Sequence, residues 1–251
     1  MRFAPPRPNP WRNFYHFTET DSTNEEAIRF IAKGVSSGIV VADRQTAGRG
    51  RGGKEWYSPR GKNLYVSFFG TTTSQQALDS AKAAGLAAFD TIVSFVPPHR
   101  TLLKWPNDIL VDRRKLCGIL IQHLTRGDSF FTVVGIGINV ETPDKKAFPW
   151  RWEPTSLEEV TKRRISPSKV FRILVESLAR WREASSSEIT AAYENRIKWM
   201  HGTTIEWTTR GEQHYGTIVR FTEGGRLIVV RTKEESEEEL AAGDIADILF
   251  P

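Results

Sequence analysis

Residues 45 to 59 read QTAGRGRGGKEWYSP, a stretch in which glycines alternate with arginines ahead of an aromatic pair and a proline. The run Gly48, Gly50, Gly52 and Gly53 lets the backbone turn its N–H groups toward a ligand. Arg49, Arg51 and Lys54 add donors suited to phosphate or carboxylate oxygens. From Arg44 to Lys62 there are six basic residues and one acidic residue, Glu55. The chemistry such a loop suits is the capture of a small anion. It is neither a P-loop nor a dinucleotide fingerprint: no GxxxxGK[ST] string exists, and no helical crossover is expected behind the glycines.

Elements with apolar faces bracket the loop. Ile39-Val40-Val41-Ala42 reads as a strand before it and Leu64 to Phe69 as a strand after it, with Trp56-Tyr57 as anchors. Ser22-Thr23-Asn24-Glu25 has capping-box spacing, with Ser22 as cap, and Ala27, Ile28, Ile31 and Ala32 then follow helical spacing up to Gly34. A second helix is expected from Gln75 to Val96, ahead of Pro97-Pro98. Four strand-like runs follow: Leu102 to Trp105, Ile109 to Val111, Leu116 to Leu124 and Phe130 to Val140, with Asp112-Arg113-Arg114 as the turn between the second and third. Ser168 to Arg182 and Glu188 to Trp199 read as amphipathic helices. Beyond Gly202 the rhythm changes to short strands (Thr204 to Thr208, His214 to Phe221, Leu227 to Val230, Asp247 to Phe250), punctuated by Gly211, Gly224-Gly225 and Gly243-Asp244. That pattern suits a small β-barrel. The expected architecture is α+β: a mixed central sheet with flanking helices over residues 1–200 and a C-terminal barrel over 201–251.

Composition bounds the partners. A chain of 251 residues with 39% apolar and 26% charged residues reads as a soluble globular protein, with no apolar run long enough for a membrane span. The start, MRFAPPRPNPWRNF, lacks the apolar stretch of a secretion signal, and the single cysteine, Cys117, permits no internal disulfide and no thiolate zinc site. A cytoplasmic setting is the expectation. The net charge of +5 is gathered at 44–62 and at Arg113-Arg114-Lys115 rather than spread as a stripe, which favours a small polyanion over general nucleic-acid binding. The acidic run from Glu234 to Glu239 reads as a solvated loop. Cys117, between Leu116 and Gly118, reads as packing rather than as a nucleophile. The five histidines form neither a Ser-His-Asp pattern nor a metal spacing.

Four segments stand out together: TDSTNEEA from Thr20, the Gly-Arg loop, KWPNDILVDRRKLCGIL from Lys104, and GIGINV from Gly135. In this order and spacing the chain resembles the biotin–protein ligases, over almost its whole length. The resemblance implies a class II synthetase-like catalytic domain with an SH3-like C-terminal barrel. It also implies a biotin site at Ser22, Thr23, Asn24, Gln45, Gly48, Arg49, Gly50, Arg51, Trp56, Lys115 and Gly118. Gln45, carrying both a donor and an acceptor, suits a neutral urea-like ring. The ATP side would involve Arg51, Lys54, Trp56, Asn107, Lys115 and Asn139. Within the KLxG segment, Lys115 is expected to reach the biotin carboxylate and the α-phosphate, with Arg49 and Arg51 as its catalytic partners. Where some relatives have a further basic residue this chain has Gly52, and Lys54 is the substitute charge.

The implied reaction has two steps: biotin and ATP give biotinyl-5′-AMP and pyrophosphate, and a lysine of a biotin carboxyl carrier domain then takes the biotinyl group. Mg²⁺ is expected with the ATP, and no ligand set for it is legible. A DNA-binding helix-turn-helix, found in some members, is not expected because TDSTN begins at residue 20. Edge strands of the sheet leave a homodimer open. Two alternatives stand beside this reading: a lipoate or octanoate ligase of the same fold, and a non-catalytic anion- or nucleic-acid-binding protein.

Overall fold

The computed structural model describes residues 3–5, 11–61, 63–142, 153–209, 212–222, 225–232, 236–241 and 248–249. Its contacts divide the chain into two units, Met1–Ile189 and Thr190–Pro251.

The first unit is built on seven strands: β1 (Asn13–Phe17), β2 (Ser37–Ala42), β3 (Leu64–Thr71), β4 (Thr101–Lys104), β5 (Asp108–Val111), β6 (Arg114–Arg126) and β7 (Ser129–Ile138). Their spatial order is β1-β2-β3-β7-β6-β5-β4, with β1 and β4 at the edges. The β1–β2 pair is parallel and every other ladder is antiparallel, so the sheet is mixed as expected. Its helices are α1 (Thr23–Ala32), α2 (Ser74–Val93), α3 (Leu157–Thr161) and α4 (Pro167–Glu183), while α5 (Ser186–Ile197) runs across the boundary at Ile189.

Strand β1 was not legible in advance. Its sequence, NFYHF, is half-buried except at the exposed His16 and lacks an alternating apolar pattern. It is held by register with β2 and by aromatic contacts, Tyr15 stacking on Phe30 with ring centroids 3.7 Å apart. Helix α1 is the crossover between these parallel strands. It buries Ala27 and Ile31 against Val40, Phe69, Phe131 and Val133. Burying each such large side chain stabilises the fold by about 2 kcal/mol. Alternation along β3 and β7 then assigns the faces: Ser67, Phe69, Val133 and Gly135 look toward α1, while Phe68 and Val134 look the other way.

Two local expectations need correction. Ser22 is the residue before α1, but its side chain makes no capping bond, and Glu25 is engaged with Arg49 instead of reaching back. The cap-like contact there comes from Asp21, whose Oδ1 accepts from the Ser22 N–H at 2.6 Å. A true capping box forms at α2, between Thr73 and Gln76. The β5–β6 turn at Asp112-Arg113 is as expected. Both residues have positive φ (49° and 60°), and Arg100 grips Asp112 through two nitrogens at 3.0 and 2.5 Å.

The second unit carries β8 (Thr204–Thr209), β9 (Glu212–Phe221), β10 (Leu227–Arg231), β11 (Glu237–Leu240) and β12 (Ile248–Leu249) in the order β11-β10-β9-β8-β12, all antiparallel. Ile205, Trp207, Ile218, Leu227, Val229 and Leu240 form its core. Among the described residues no ladder joins β11 to β12, and the five strands form one antiparallel sheet. The acidic run is also corrected. Glu237, Glu238 and Glu239 lie in β11, where Arg220, Arg231 and Arg226 respectively pair with them. Glu234 and Glu235, and the turn positions Gly211, Gly224, Gly243 and Asp244, lie outside the described residues, as do Asp247 and Phe250 of the last strand. No helix among the described residues is long and apolar enough to cross a membrane.

Candidate active site

The start of α1 and the root of the Gly-Arg loop are stitched together by backbone. Thr20 bridges Gln45 as a short parallel continuation of β1–β2, Thr46 N–H donates to the Thr20 carbonyl, and Ala47 N–H to that of Asp21, both at 2.9 Å. This places Thr23 against Gln45. Gln45 Oε1 accepts from the Thr23 N–H at 2.9 Å and lies 3.1 Å from its hydroxyl, while Gln45 Nε2 donates to Ser58 Oγ at 2.8 Å. Beneath them Ser67 Oγ lies 2.7 Å from Thr23 Oγ1 and 2.6 Å from Asn24 Oδ1, and Asn24 Nδ2 donates to Gln122 Oε1 at 2.6 Å. This cluster is therefore uncharged and dense in hydrogen-bonding groups. Gln45's amide donor, expected to face a ligand, is committed to Ser58.

The loop is a tight hairpin. Trp56 N–H donates to the Gly48 carbonyl at 2.9 Å and Gly50 N–H to that of Lys54 at 2.7 Å, with a single 3-10 turn over Arg51–Gly53. Gly52 and Gly53 sit at φ 61° and 74°, the left-handed conformation that makes glycine the natural residue there. Gly48 is required by crowding: a Cβ there would meet the Trp56 carbonyl at 2.5 Å.

Trp56 returns from the hairpin onto the sheet. Gly118 on β6 and Gly137 on β7 are cross-strand partners, and the indole lies on both of them; a Cβ would approach its ring atoms to 2.7 and 2.5 Å. Asn24 occupies the space above Gly135 in the same way. The glycines of GIGINV and KLCG thus form a flat floor on which polar and aromatic groups rest directly on backbone.

Lys115 stands at the rim of this floor. Its Nζ is 2.8 Å from Asp108 Oδ1 and 5.4 Å from the Trp56 ring centroid. Arg51 Nη1 donates to Asn107 Oδ1 at 3.4 Å. Asn107 and Asp108 are consecutive, so the two cations from distant segments converge on one turn of KWPND. Asn107 is itself fixed, its Nδ2 donating to the Ile119 carbonyl at 2.7 Å and its own carbonyl accepting from Ile119 N–H at 2.9 Å. Arg49 behaves differently. It pairs with Glu25 of α1 at 2.9 Å, with its side chain 59% exposed. Lys54 is exposed on the hairpin.

Asn139 lies one residue beyond β7 and is buried. Its Nδ2 donates to the Thr155 carbonyl at 3.0 Å, while Thr155 N–H donates to the Lys115 carbonyl at 2.9 Å. The asparagine therefore braces the segment that pairs with Lys115. Burial pushes the Cys117 thiol pKa up, which keeps it protonated and matches its expected packing role.

Three residues of this constellation were not named as site residues: Asp108, quoted only within KWPNDILV, Ser67 and Gln122. A signal existed for two of them. Ser67 is the one serine inside LYVSFF, and Asp108 is a carboxylate heading an apolar strand. Gln122 carried none. On the opposite face of the sheet, a cavity of about 350 Å³ is bordered by Trp11, Phe68, Leu178 and Trp181; none of the expected site residues line it.

A glycine floor with a cluster of uncharged polar groups at one end and two cations at the other suits a ligand that is neutral at one end and anionic at the other. Residues 15–139 match the model of the biotin/lipoate A/B protein ligase family. The chain is 38% identical over 173 residues to a biotin–[acetyl-CoA-carboxylase] ligase of Paracoccus denitrificans, spanning 64% of this chain and 70% of that one. It is 30% identical over 242 residues to one of Mycobacterium tuberculosis, spanning 88% and 87%. In fold it is similar to the biotin protein ligase from Aquifex aeolicus in complex with biotin and ATP, with a TM-score of 0.76 and 26% identity over 96% of this chain and all of that one. The chain belongs to the biotin–protein ligase family.

Proposed function

We propose that this protein ligates biotin to a lysine of a biotin carboxyl carrier domain, with ATP converted to AMP and pyrophosphate through biotinyl-5′-AMP. The observation that carries this reading is the convergence of Lys115 and Arg51 on Asn107-Asp108, beside an uncharged pocket formed by Thr23, Asn24, Gln45 and Ser67. In the first step a biotin carboxylate oxygen attacks the α-phosphorus and pyrophosphate leaves. In the second the carrier lysine amine attacks the acyl carbon, loses a proton and displaces AMP.

The residues support a division of labour. The neutral ureido ring needs hydrogen bonds without charge, which the α1 end supplies. The carboxylate and the α-phosphate are anions that must meet, and Lys115 with Arg51 offsets their repulsion and the charge developing in the transition state. Arg49, tethered to Glu25, supplies positive charge and the backbone of the hairpin between these ends. Ser22 and the glycines Gly48, Gly50 and Gly118 contribute backbone and space. Trp56 offers the ring against which substrate atoms pack. Asn107 positions Arg51, and Asn139 steadies the Lys115 strand on the nucleotide side, with Lys54 as an outlying charge for pyrophosphate.

Mg²⁺ enters with ATP as its phosphate chelate. Among the described residues no group of three or more His, Cys, Asp or Glu side chains gathers to hold a resident ion. A carrier domain is the macromolecular partner, and an ATP-consuming modification of a carboxylase supports a cytoplasmic location. The edge strands β1 and β4 leave room for a homodimer.

The dense polar floor favours biotin over lipoate or octanoate, whose apolar tails would leave those groups without partners. The test is incubation of the protein with ATP, a carrier domain and either biotin, lipoate or octanoate, followed by intact mass. A gain of one biotinyl group on the carrier supports the proposal, and acylation by lipoate or octanoate in its place overturns it.

A further inference from the structure

Lys115 and Gly118 are three residues apart on β6, and strict alternation would place them on opposite faces of the sheet. They share a face nonetheless: Trp56 lies over Gly118, and Lys115 Nζ is 5.4 Å from the centroid of the same ring. The register of β5 against β6 gives the reason. Asp108 pairs with Gly118 and Ile109 with Cys117, but Leu110 pairs with Lys115 and Val111 with Arg114. Leu116 is therefore an extra residue on β6, a β-bulge, and it turns Lys115 onto the face of Asp108, Leu110 and Gly118. In a register without the bulge, Leu110 would meet Leu116 and Val111 would meet Lys115. The Lys115 side chain would then leave the far face of the sheet, because a slip of one residue exchanges the faces.

A bulge interrupts its own ladder, so its geometry must be held from outside β5. The β7 ladder does not reach it, since pairing with β6 starts at Cys117. Residues 153–155 run alongside in its place: Lys115 N–H donates to the Glu153 carbonyl and Thr155 N–H to the Lys115 carbonyl, each at 2.9 Å. The Leu116 carbonyl accepts from Asn139 N–H at 2.9 Å. This segment leads straight into α3, whose first turn hangs on the end of β7, with Leu157 N–H donating to the Asn139 carbonyl at 3.0 Å and Glu158 N–H to that of Val140 at 2.9 Å. The Arg114 side chain spans from the bulged end of β6 to α3. Its guanidinium donates to Glu159, and Glu153 Oε1 lies 3.9 Å from the same nitrogen. Arg114 belongs to the basic run that suggested an anionic partner, yet the fold commits it to two carboxylates of this chain.

We propose that Arg114, through its ion pair with Glu159, is a positioning residue that locks the Leu116 bulge and so keeps Lys115 on the site face. Arg114 touches no substrate in this role and acts through Lys115. The ion pair closes a collar formed by the start of β6, residues 153–155, α3 and the end of β7. With the collar open, the end of β6 is free to slip toward the unbulged register, and Lys115 spends part of its time turned away from the reacting anions. The inference rests on the biotin reading above, which gives Lys115 its task, and adds the device that aims it.

The test is biotin-dependent exchange of labelled pyrophosphate into ATP by the full chain, with amide hydrogen exchange as a readout that needs no activity. Arg114→Ala and the milder Glu159→Gln are each expected to lower the maximal exchange rate roughly tenfold or more, as misplacement of a catalytic group does, with the KM values for biotin and ATP little changed. Both are expected to speed hydrogen exchange at the Lys115 and Thr155 amides. The charge swap, Arg114→Glu with Glu159→Arg, is expected to recover much of the rate. In a Lys115→Ala background, Arg114→Ala is expected to cost nothing further, since its effect passes through the lysine. A wild-type rate in both single variants, a charge swap no better than either of them, unchanged protection of the two amides, or a full additional loss in the Lys115→Ala background would each overturn the role of Arg114. A wild-type protein with no biotin-dependent exchange would instead overturn the biotin reading, and the amide protection would still decide whether the ion pair holds the bulge.

Discussion

A Cβ at Gly137 would stand 2.5 Å from Nε1 of Trp56, and one at Gly118, directly across the β6–β7 ladder, 2.7 Å from the same ring. The indole is thus seated on bare backbone, and its seat requires glycine on both strands. Gly137→Ala is expected to lift the ring off the floor, weakening substrate binding while leaving the sheet paired. In a double-mutant cycle of pyrophosphate exchange, Gly137→Ala should cost little once Trp56→Ala has already removed the ring. Additive losses would show that Gly137 acts independently of Trp56.

Lys115 is the cation nearest the rim of the floor, held by Asp108 at 2.8 Å. Lys115→Ala is expected to lower adenylate formation by roughly a hundredfold, the usual cost of removing one charge-stabilising contact from a transition state. The circular dichroism and melting of the variant should stay close to wild type, because the side chain is partly exposed. Exchange rates near wild type would remove Lys115 from the mechanism.

Arg51 reaches Asn107 from the single 3-10 turn of the hairpin. With Arg51→Gly the turn keeps its shape, since glycine accepts any backbone conformation, but the tether across the site is gone. Retention of the adenylate should suffer more than its formation, with escape of a reactive acyl phosphate. The readout is biotin on lysines of bystander proteins in a mixture with the carrier domain. Modification confined to the carrier domain would contradict this role for the arginine.

Asp21 supports the entry to α1. Its hydrogen bonds from Arg29, together with that from the Ser22 N–H and the Thr20 hydroxyl, lower its pKa from 3.8 to about 2 against the opposing effect of burial. A carboxylate whose pKa falls on folding stabilises the fold above its unfolded value, and that stabilisation is lost as pH drops through the folded value. The contribution is therefore full above about pH 4 and gone near pH 2. Both partners are 44% exposed, so solvent screening holds it to about 1 kcal/mol or less. Asp21→Asn should lower the urea midpoint at pH 7 and converge on wild type near pH 2. A constant difference across that range would exclude the ion pair as its cause.

The legible parts of this protein were those where local pattern and local structure agree. The strands from β2 to β7 announced themselves as short apolar runs, α1 and α4 by helical spacing, and α2 by Pro97-Pro98 beyond its end. The β5–β6 turn was marked by Asp112-Arg113. Strand β1 was hidden because its pairing depends on α1 folding back across the sheet, which no residue within NFYHF encodes. The capping box at Ser22 failed because Glu25 found a partner, Arg49, 24 residues away. In the site, residues of distinctive type such as Lys115, Arg51 and Gln45 were readable from sequence. Gln122 was not, because its importance lies in which atom it faces, and the lone serine of LYVSFF marked a polar position without saying what it meets. The acidic strand β11 looked like solvated loop for the same reason: its arginine partners are Arg220 of β9, Arg231 of β10 and Arg226 just ahead of β10, which the fold rather than sequence proximity brings to it.

The central claim, that this chain activates biotin with ATP at the floor bounded by Thr23, Gln45, Trp56 and Lys115, is tested most directly by exchange of radiolabelled pyrophosphate into ATP by the purified protein, with no carrier domain present. The account expects exchange that depends on added biotin, saturates with it, and is lost in Lys115→Ala. Exchange supported by lipoate or octanoate but not by biotin, or none with any of the three, would contradict it.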